Sequence, residues 1–311
     1  LGGEAATWQL REQRRQIAGE VRQRYYEAVV AQSRRELARR TLELQRELVR
    51  SLERRGAAGE IAAAEIDWLR GDVRRAEQAL ALAEAEAAAA LVPLRSRLRL
   101  APSIPVGLQL DLDALLARPI PPAPEALDNS RPGLALAVHR VRQAEAALAL
   151  ARSESRGEWT IAGGIDFERR VNDYTGGLEN DPRLSVGASI PWPRTVANRG
   201  DLREKQAAVR IAEAELAALR DELTADITSS LESARTLQPA ITAFRASLDP
   251  GDAIPASLRA AYERGEVSAL QLAQARQQRF ALESDFMHAA ARYVAALAAA
   301  ETAVGLLPAQ P

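Results

Sequence analysis

Long stretches of the chain place apolar residues three and four positions apart, the spacing of an amphipathic helix. They span about residues 5–55, 60–98, 135–156 and 201–248, with a further segment up to residue 264 and a last one ending near residue 304. The first would be roughly 75 Å long at ~1.5 Å per residue. Such long helices need partners along their length, so the pattern predicts a mainly α fold of long antiparallel coiled-coil hairpins.

Two glycine-containing breaks separate consecutive helices. The residues before the first break, Leu52-Glu-Arg-Arg-Gly56, resemble those before the second, Ala261-Tyr-Glu-Arg-Gly265, and the same alignment places Ala64 opposite Ala273. A long-period similarity of this kind indicates two tandem repeats. We call the two breaks the tips; their residues are Arg55 and Gly56 for tip one, and Arg264, Gly265, Glu266, Val267 and Ser268 for tip two. On spacing alone, both are also explained as simple helix C-caps.

One segment, Trp159 to Trp192, alternates with period two instead. Two alternating runs flank a link rich in Gly, Asn and Asp, which predicts a β-hairpin. One face would carry Trp159, Ile161, Ile165, Phe167, Leu184, Val186, Ile190 and Trp192, and the other Thr160, Asp166, Glu168, Ser185 and Ser189. Each run is about ten residues with aromatic residues at its ends, which suits a strand that crosses a bilayer. A half-buried hairpin on a soluble domain fits the same alternation.

Seven prolines between residues 101 and 133 forbid a continuous helix there and mark a boundary. We therefore expect a first-repeat helical hairpin over residues 1–100, a connector over 101–133 and a second repeat over 134–311. The second repeat would contain the β-hairpin at 158–193 and tip two at 264–268. Within the connector, Leu108 to Asp113 alternates and could form a brief strand.

Composition argues against several function classes. Lys and Arg number 41 against 42 Asp and Glu, without the basic excess of a nucleic-acid-binding protein. There is no cysteine, no run of eighteen apolar residues, no P-loop and no Gly-x-Ser-x-Gly motif. The two histidines, His139 and His288, are isolated on helices and are best explained by packing or exposure. We expect no catalytic residue, no cofactor and no metal site.

Four segments taken in order resemble the TolC-like outer membrane efflux family, more closely its heavy-metal and RND-linked branch. Asn129-Ser-Arg-Pro-Gly-Leu134 is similar to the family's "RP-acidic-L" opening of the second repeat, with Gly133 in the acidic position. Leu184 to Pro193 followed by Asn198-Arg-Gly200 is similar to its "G-x-S-x-P-L" and "N-R-G". Leu258 to Ser268 is similar to its "A-x-x-x-Y-x-x-G-x-x-S" tip, and Asp249-Pro250 stands where the family has a proline. The resemblance covers the whole chain, although the usual proline before the first strand is replaced by Gly157-Glu158.

The resemblance implies a homotrimeric exit duct in the outer membrane of a Gram-negative bacterium, with a helical extension into the periplasm. The hairpin would be a transmembrane part of a trimeric β-barrel, with its apolar face towards outer-membrane lipid and its polar face towards the lumen. The tips would dock a periplasmic adaptor protein, which joins the duct to an inner-membrane pump. A full protomer of the family supplies four strands, whereas this chain supplies two, so we expect the polypeptide as given to lack the opening of the first repeat.

Two functions remain open from the sequence. The first is a passive duct of a tripartite efflux or type I secretion system. The alternative is a soluble coiled-coil scaffold or adaptor-like protein without pore activity, which would bury the hairpin on its own helices. An enzyme would need a pocket that the sequence does not indicate.

Overall fold

The computed structural model describes residues 2–57, 62–101, 103–154, 160–171, 174, 176, 178–189, 197–248 and 253–305. The chain divides into two compact units. One contains Leu1–Gln9 and Asp128–Asp221, and the other contains Leu10–Leu127 and Glu222–Pro311. The predicted break at Asp249-Pro250-Gly251 lies outside the described residues, as do Trp159, Ile190 and Trp192.

Seven helices and one two-stranded antiparallel sheet make up the described part, which confirms the predicted mainly α fold with a β-hairpin. The elements are α1 (Gly2–Ala57), α2 (Ala63–Arg97), α3 (Leu112–Leu116), α4 (Pro132–Glu154), β1 (Thr160–Val171), β2 (Leu178–Ser189), α5 (Ala197–Leu248), α6 (Ala253–Glu263) and α7 (Ala269–Val304). Helix α5 continues through Pro239. Gly56 lies in the last turn of α1 rather than after it.

Helices α1 and α2 form an antiparallel hairpin. Ion pairs join Glu53 to Arg70 at 2.7 Å near one end and Arg46 to Glu77 at 2.6 Å further along. A third pair joins Glu20 to Arg97 near the opposite end. Because the residue numbers rise on α2 as they fall on α1, the two helices run in opposite directions. The predicted antiparallel arrangement of this pair is therefore present in the structure.

The buried side of α2 follows a seven-residue repeat in which half of the buried residues are alanine. Its buried residues are Ile66, Leu69, Ala76, Ala83, Ala87 and Leu94. Steps of three, four and seven along this set are those of a coiled-coil seam. Leu82 is 62% exposed because it lies one position before the seam alanine Ala83.

The connector does not contain the strand predicted at Leu108 to Asp113. The backbone N–H groups of Gln109 and Leu110 each donate to the Tyr25 hydroxyl at 3.0 Å, so this stretch is held by α1 rather than by a strand. Asp111 then caps α3 by accepting from the Ala114 N–H at 2.7 Å. The leucines of α3 are buried in a cluster with Tyr26, Ile241 and Tyr293, drawn from α1, α5 and α7.

Helices α1 and α7 approach closely at Gly19. A Cβ on Gly19 would overlap the Cγ2 atom of Thr302 on α7, so a larger residue here would force Thr302 or one of the two helices to shift. Arg15 Nη1 donates to the Thr302 carbonyl at 3.3 Å, and Arg276 Nη1 donates to the Leu44 carbonyl at 2.9 Å. These two contacts lie at opposite ends of the pair, and they show that α1 and α7 are antiparallel.

Candidate functional site

The β-hairpin brings the alternating apolar residues onto one face. Strands β1 and β2 pair with Ile161 opposite Ala188, Gly163 opposite Val186, and Ile165 opposite Leu184. Directly paired residues of an antiparallel sheet share a face. The opposite face of the hairpin carries Thr160 opposite Ser189, Gly164 opposite Ser185, and Asp166 opposite Arg183. The predicted separation into an apolar and a polar face is therefore present for all the described positions.

The apolar face is uncovered in this chain. The exposed fractions are 80% for Ile161, 63% for Ile165, 72% for Phe167, 76% for Leu184 and 77% for Val186. Soluble monomers rarely expose a contiguous set of large apolar side chains, and such a set usually marks contact with a membrane or a partner. Contact of this face with lipid stays a prediction, as does the role of Trp159, Ile190 and Trp192, which lie outside the described residues.

Tip two has a defined backbone structure. Gly265 has φ +76°, its N–H donates to the Tyr262 carbonyl at 3.0 Å, and the Glu266 N–H donates to the Ala261 carbonyl at 2.9 Å. This pair of bonds is the Schellman motif, which needs a left-handed residue and so favours glycine. Ser268 then begins α7 with a capping box shared with Gln271. The C-cap explanation from the sequence holds for this tip.

The side chains of tip two divide between solvent and core. Arg264 makes a two-bond ion pair with Glu266, with Nε to Oε1 at 2.7 Å and Nη2 to Oε2 at 3.0 Å. The hydrogen bond from Arg264 lowers the pKa of the Glu266 carboxyl. Both side chains are exposed, whereas Val267 packs against an apolar cluster.

This apolar cluster joins the two tips, which the sequence does not reveal. We call it the tip cluster; its buried members are Leu48, Val49, Leu52, Ile66, Leu69, Tyr262, Ala269, Leu272 and Ala273. They come from α1, α2, α6 and α7. The Arg55 guanidinium of tip one also lies 4.9 Å from the centre of the Tyr262 ring beside tip two. The structure therefore brings Arg55 into contact with the second repeat.

A group of arginines beside the tip cluster was missed by the sequence analysis. Arg50, Arg54, Arg259 and Arg276 line an open cavity of about 890 Å³ between α1, α6 and α7. The available signal was the closeness in sequence of three arginines, at positions 50, 54 and 55. Its partners on α6 and α7 are more than 200 residues away, so the sequence alone could not bring them together.

A buried ionic network at the other end of α7 was also missed. Glu301 is 3% exposed and accepts a 2.8 Å hydrogen bond from the Tyr26 hydroxyl. Arg22 Nε lies 3.3 Å and Arg118 Nε 3.0 Å from its carboxylate oxygens. Burial raises the pKa of the Tyr26 hydroxyl, and the hydrogen bond to Glu301 raises this pKa further. The network ties the connector to α1 and α7, and it is better explained as a structural clamp than as a site for chemistry.

The described residues give little support for metal binding or for a membrane-spanning helix. No group of three or more His, Asp or Glu residues in the described ranges is placed to hold a metal ion. Within the same ranges, no helix combines the length and apolar character needed to cross a bilayer. His139 is buried, and His288 is exposed with its Nδ1 atom 3.2 Å from Arg34 Nη2.

Comparison with known proteins identifies the fold through structure rather than sequence. No family model and no curated protein matches the chain. Among solved structures, the chain superposes on CusC with a TM-score of 0.74 at 19% sequence identity. The CusC structures concern conformational changes that accompany folding and transmembrane channel formation. The TM-score is 0.73 at 20% sequence identity for the outer-membrane channel OprN. It is 0.72 at 19% identity for the MtrE outer membrane channel of Neisseria gonorrhoeae. This chain has the TolC-like channel fold. The fold that the sequence resemblance predicts is thereby confirmed.

The TolC-like fold covers nearly all of this chain but only part of each channel. The superposition with CusC includes 96% of this chain and 70% of CusC. The superpositions with OprN and with MtrE each include 97% of this chain and 68% of the channel protein.

Proposed function

We propose that this chain is a subunit of a passive outer-membrane exit channel in a tripartite efflux or type I secretion system. It acts as a homotrimer, without catalysis of its own, and its partners are a periplasmic adaptor protein and an inner-membrane pump. The setting is the outer membrane of a Gram-negative cell, with the helices extending into the periplasm. The observation that carries the proposal is the exposed apolar face of the β-hairpin.

Lipid is the environment in which that face is stable. Burying a large apolar side chain such as Ile165, Phe167 or Leu184 contributes about 1.5–3 kcal/mol relative to exposure in water. Each strand has 12 residues, and at ~3.3 Å per residue a strand of this length extends about 40 Å. A tilt of ~45° reduces its height to about 28 Å, close to the ~25 Å apolar band of outer-membrane barrels.

The edges of the hairpin favour assembly with other strands. In the described part of the chain, β1 and β2 pair only with each other, so each leaves one edge of backbone groups without a strand partner. Such edges are not tolerated in lipid, where a sheet must close into a barrel. Strands from other copies of the chain would close the barrel, which is the physical reason for proposing a homotrimer.

The tips are the proposed adaptor-docking residues: Arg55, Gly56, Arg264, Gly265, Glu266, Val267 and Ser268. Support comes from the tip cluster, because it holds the ends of both repeats together. Opening the periplasmic entrance would require the helical hairpins to separate at this end. We infer that adaptor binding favours the separated arrangement and so shifts the population towards the open channel.

The alternative function is a soluble coiled-coil scaffold without pore activity. A scaffold would cover the hairpin with its own helices. The exposure of Ile161, Phe167 and Val186 favours the channel instead.

The test is a pair of charge substitutions at neighbouring positions on opposite faces. Leu184→Arg places a cation on the apolar face, where arginine near the bilayer midplane destabilises a barrel by about 2–4 kcal/mol. Ser185→Arg adds the same charge to the polar face, opposite Gly164, and should be tolerated. We expect the wild type and Ser185→Arg in the outer-membrane fraction, as detergent-dependent trimers by light scattering, and Leu184→Arg to be depleted there. A water-soluble wild type, or equal yields of the two variants, would contradict the proposal.

A further inference from the structure

The sulfur chemistry of this chain is confined to one side chain. The sequence contains one methionine, Met287, and no cysteine. Thioethers and thiols are the side-chain groups that peroxides oxidise under mild conditions. A mild peroxide treatment therefore has one preferred target in the whole sequence. Whether that target reacts in the folded protein depends on where Met287 lies.

Met287 is accessible from an open cavity. It lies on α7 and borders a cavity of about 500 Å³. Other walls of this cavity come from Leu37 of α1, Asp113 of α3 and Leu248 of α5. The Met287 side chain is partly exposed, whereas its neighbour Phe286 is buried. Because a water molecule occupies only ~30 Å³, the cavity has room to admit a peroxide molecule to this side chain.

Met287 also packs against the core. It contacts the buried cluster that joins α1, α3, α5 and α7, to which Leu115, Ile241 and Tyr293 belong. A thioether suits this position because it is apolar and its flexible side chain fills irregular spaces. A sulfoxide is polar, so oxidation would replace an apolar contact with the cluster by a polar one. The same side chain is therefore both open to an oxidant and part of the packing of the connector helix α3.

We propose that Met287 is a reversible oxidation site at which peroxides weaken the packing of α7 against this cluster. The thioether sulfur attacks one oxygen atom of hydrogen peroxide, the O–O bond breaks and an S=O bond forms. The proton on the transferred oxygen moves to the other oxygen, which leaves as water. Sulfur loses two electrons and the peroxide gains them. Methionine sulfoxide reductases reverse the oxidation.

Intact-mass measurement tests the accessibility of the site. The full-length chain is treated with hydrogen peroxide in detergent, next to a short methionine-containing peptide as a reference. We expect the folded protein to gain one oxygen atom, which peptide mapping should locate at Met287. Met287→Leu keeps an apolar side chain of similar volume without sulfur, so its mass should not change.

Thermal unfolding tests the effect on packing. Complete oxidation of Met287 should lower the Tm by at least about 2 °C. Treatment with methionine sulfoxide reductases should restore both the original mass and the original Tm. The matched control is Gln278→Met in the Met287→Leu chain, because Gln278 is an exposed residue of the same helix α7. This control should gain an oxygen atom with no change in Tm.

Two kinds of result would overturn the proposal. If the folded protein gained no oxygen at Met287 while the reference peptide was oxidised, the cavity would not admit the oxidant. If oxidation left the Tm unchanged, or lowered it equally in the Gln278→Met control, the sulfoxide would not disturb the cluster. Neither measurement depends on membrane insertion or on transport. The proposal is therefore independent of the channel function, and the failure of one leaves the other standing.

Discussion

Replacing Glu301 by glutamine should destabilise the protein more than any surface charge change. The substitution keeps the shape of the side chain and leaves an amide oxygen that can still accept the Tyr26 hydrogen bond. It removes the negative charge that lies 3.3 Å from Arg22 Nε and 3.0 Å from Arg118 Nε. The Arg22 side chain is only 11% exposed, so its guanidinium would stay buried after losing its ion pair with Glu301.

The expected magnitude follows from the burial of each partner. Breaking a buried ion pair by removing one member destabilises by about 3–5 kcal/mol, since the remaining charge stays buried. Arg118 is 44% exposed and can recover hydration, so the main contribution comes from Arg22. We therefore expect the free energy of unfolding to fall by about 3 kcal/mol, at the lower end of that range.

The assay is urea unfolding in detergent, followed by far-ultraviolet circular dichroism. The control is Glu232→Gln, which breaks the exposed pair with Arg235 on α5 and should change stability by no more than about 0.5 kcal/mol. A double-mutant cycle of Glu301→Gln with Arg22→Met should give a coupling of at least about 1 kcal/mol. If Glu301→Gln behaved like Glu232→Gln, or if the coupling were near zero, the clamp would not stabilise the fold.

The remaining predictions concern backbone and pH effects. Gly19→Ala should destabilise the folded protein because the added Cβ overlaps Thr302. Gly71→Ala, at an open helical position, should stabilise the folded protein by about 0.5–1 kcal/mol. Thermal unfolding compares the two variants. Gly265→Val should destabilise by at least about 1 kcal/mol because of its φ of +76°, while Gly265→Asn should be milder; equal effects would refute the backbone argument. The raised pKa of Tyr26 means that the folded state holds this proton more tightly than the unfolded state. Stability should therefore fall as pH rises above the ordinary tyrosine value of 10.0, and Tyr26→Phe should flatten that decline in an unfolding series.

The elements that the sequence predicts well are those with a strong local period. The hairpin faces follow from period-two alternation, and the pairing of Ile165 with Leu184 confirms that the two apolar runs share one face. The long helices follow from their three- and four-residue spacing. Gly265 also carries a local C-cap signal, and the structure has that cap.

Prediction fails where tertiary contacts decide the outcome. The Leu108 to Asp113 segment alternates like a strand, yet Asp111 caps a short helix whose leucines enter the core. The repeat alignment pairs Ala64 with Ala273, but Ala64 is exposed and Ala273 is 8% exposed and buried, so the two positions differ in packing. Local similarity between the repeats does not specify which side of each helix faces the core.

The clusters that join distant segments could not be predicted at all. The network around Glu301 unites residues 22, 26, 118 and 301, and the arginine cavity unites α1 with α6 and α7. Arginine and glutamate recur along the long helices α1, α2, α5 and α7, so neither set stands out in the sequence. Their significance comes only from burial and from the closeness of the helices that carry them.

The central claim is that the apolar face of the hairpin contacts lipid, and labelling of adjacent positions tests it most directly. Val186→Cys and Ser185→Cys, each in the cysteine-free chain, place one fluorophore on the apolar face and one on the polar face of β2. After reconstitution into vesicles that contain a lipid with a quencher on its acyl chains, the account predicts strong quenching at position 186 and weak quenching at position 185. Equal quenching at the two positions, or none at position 186, would contradict it.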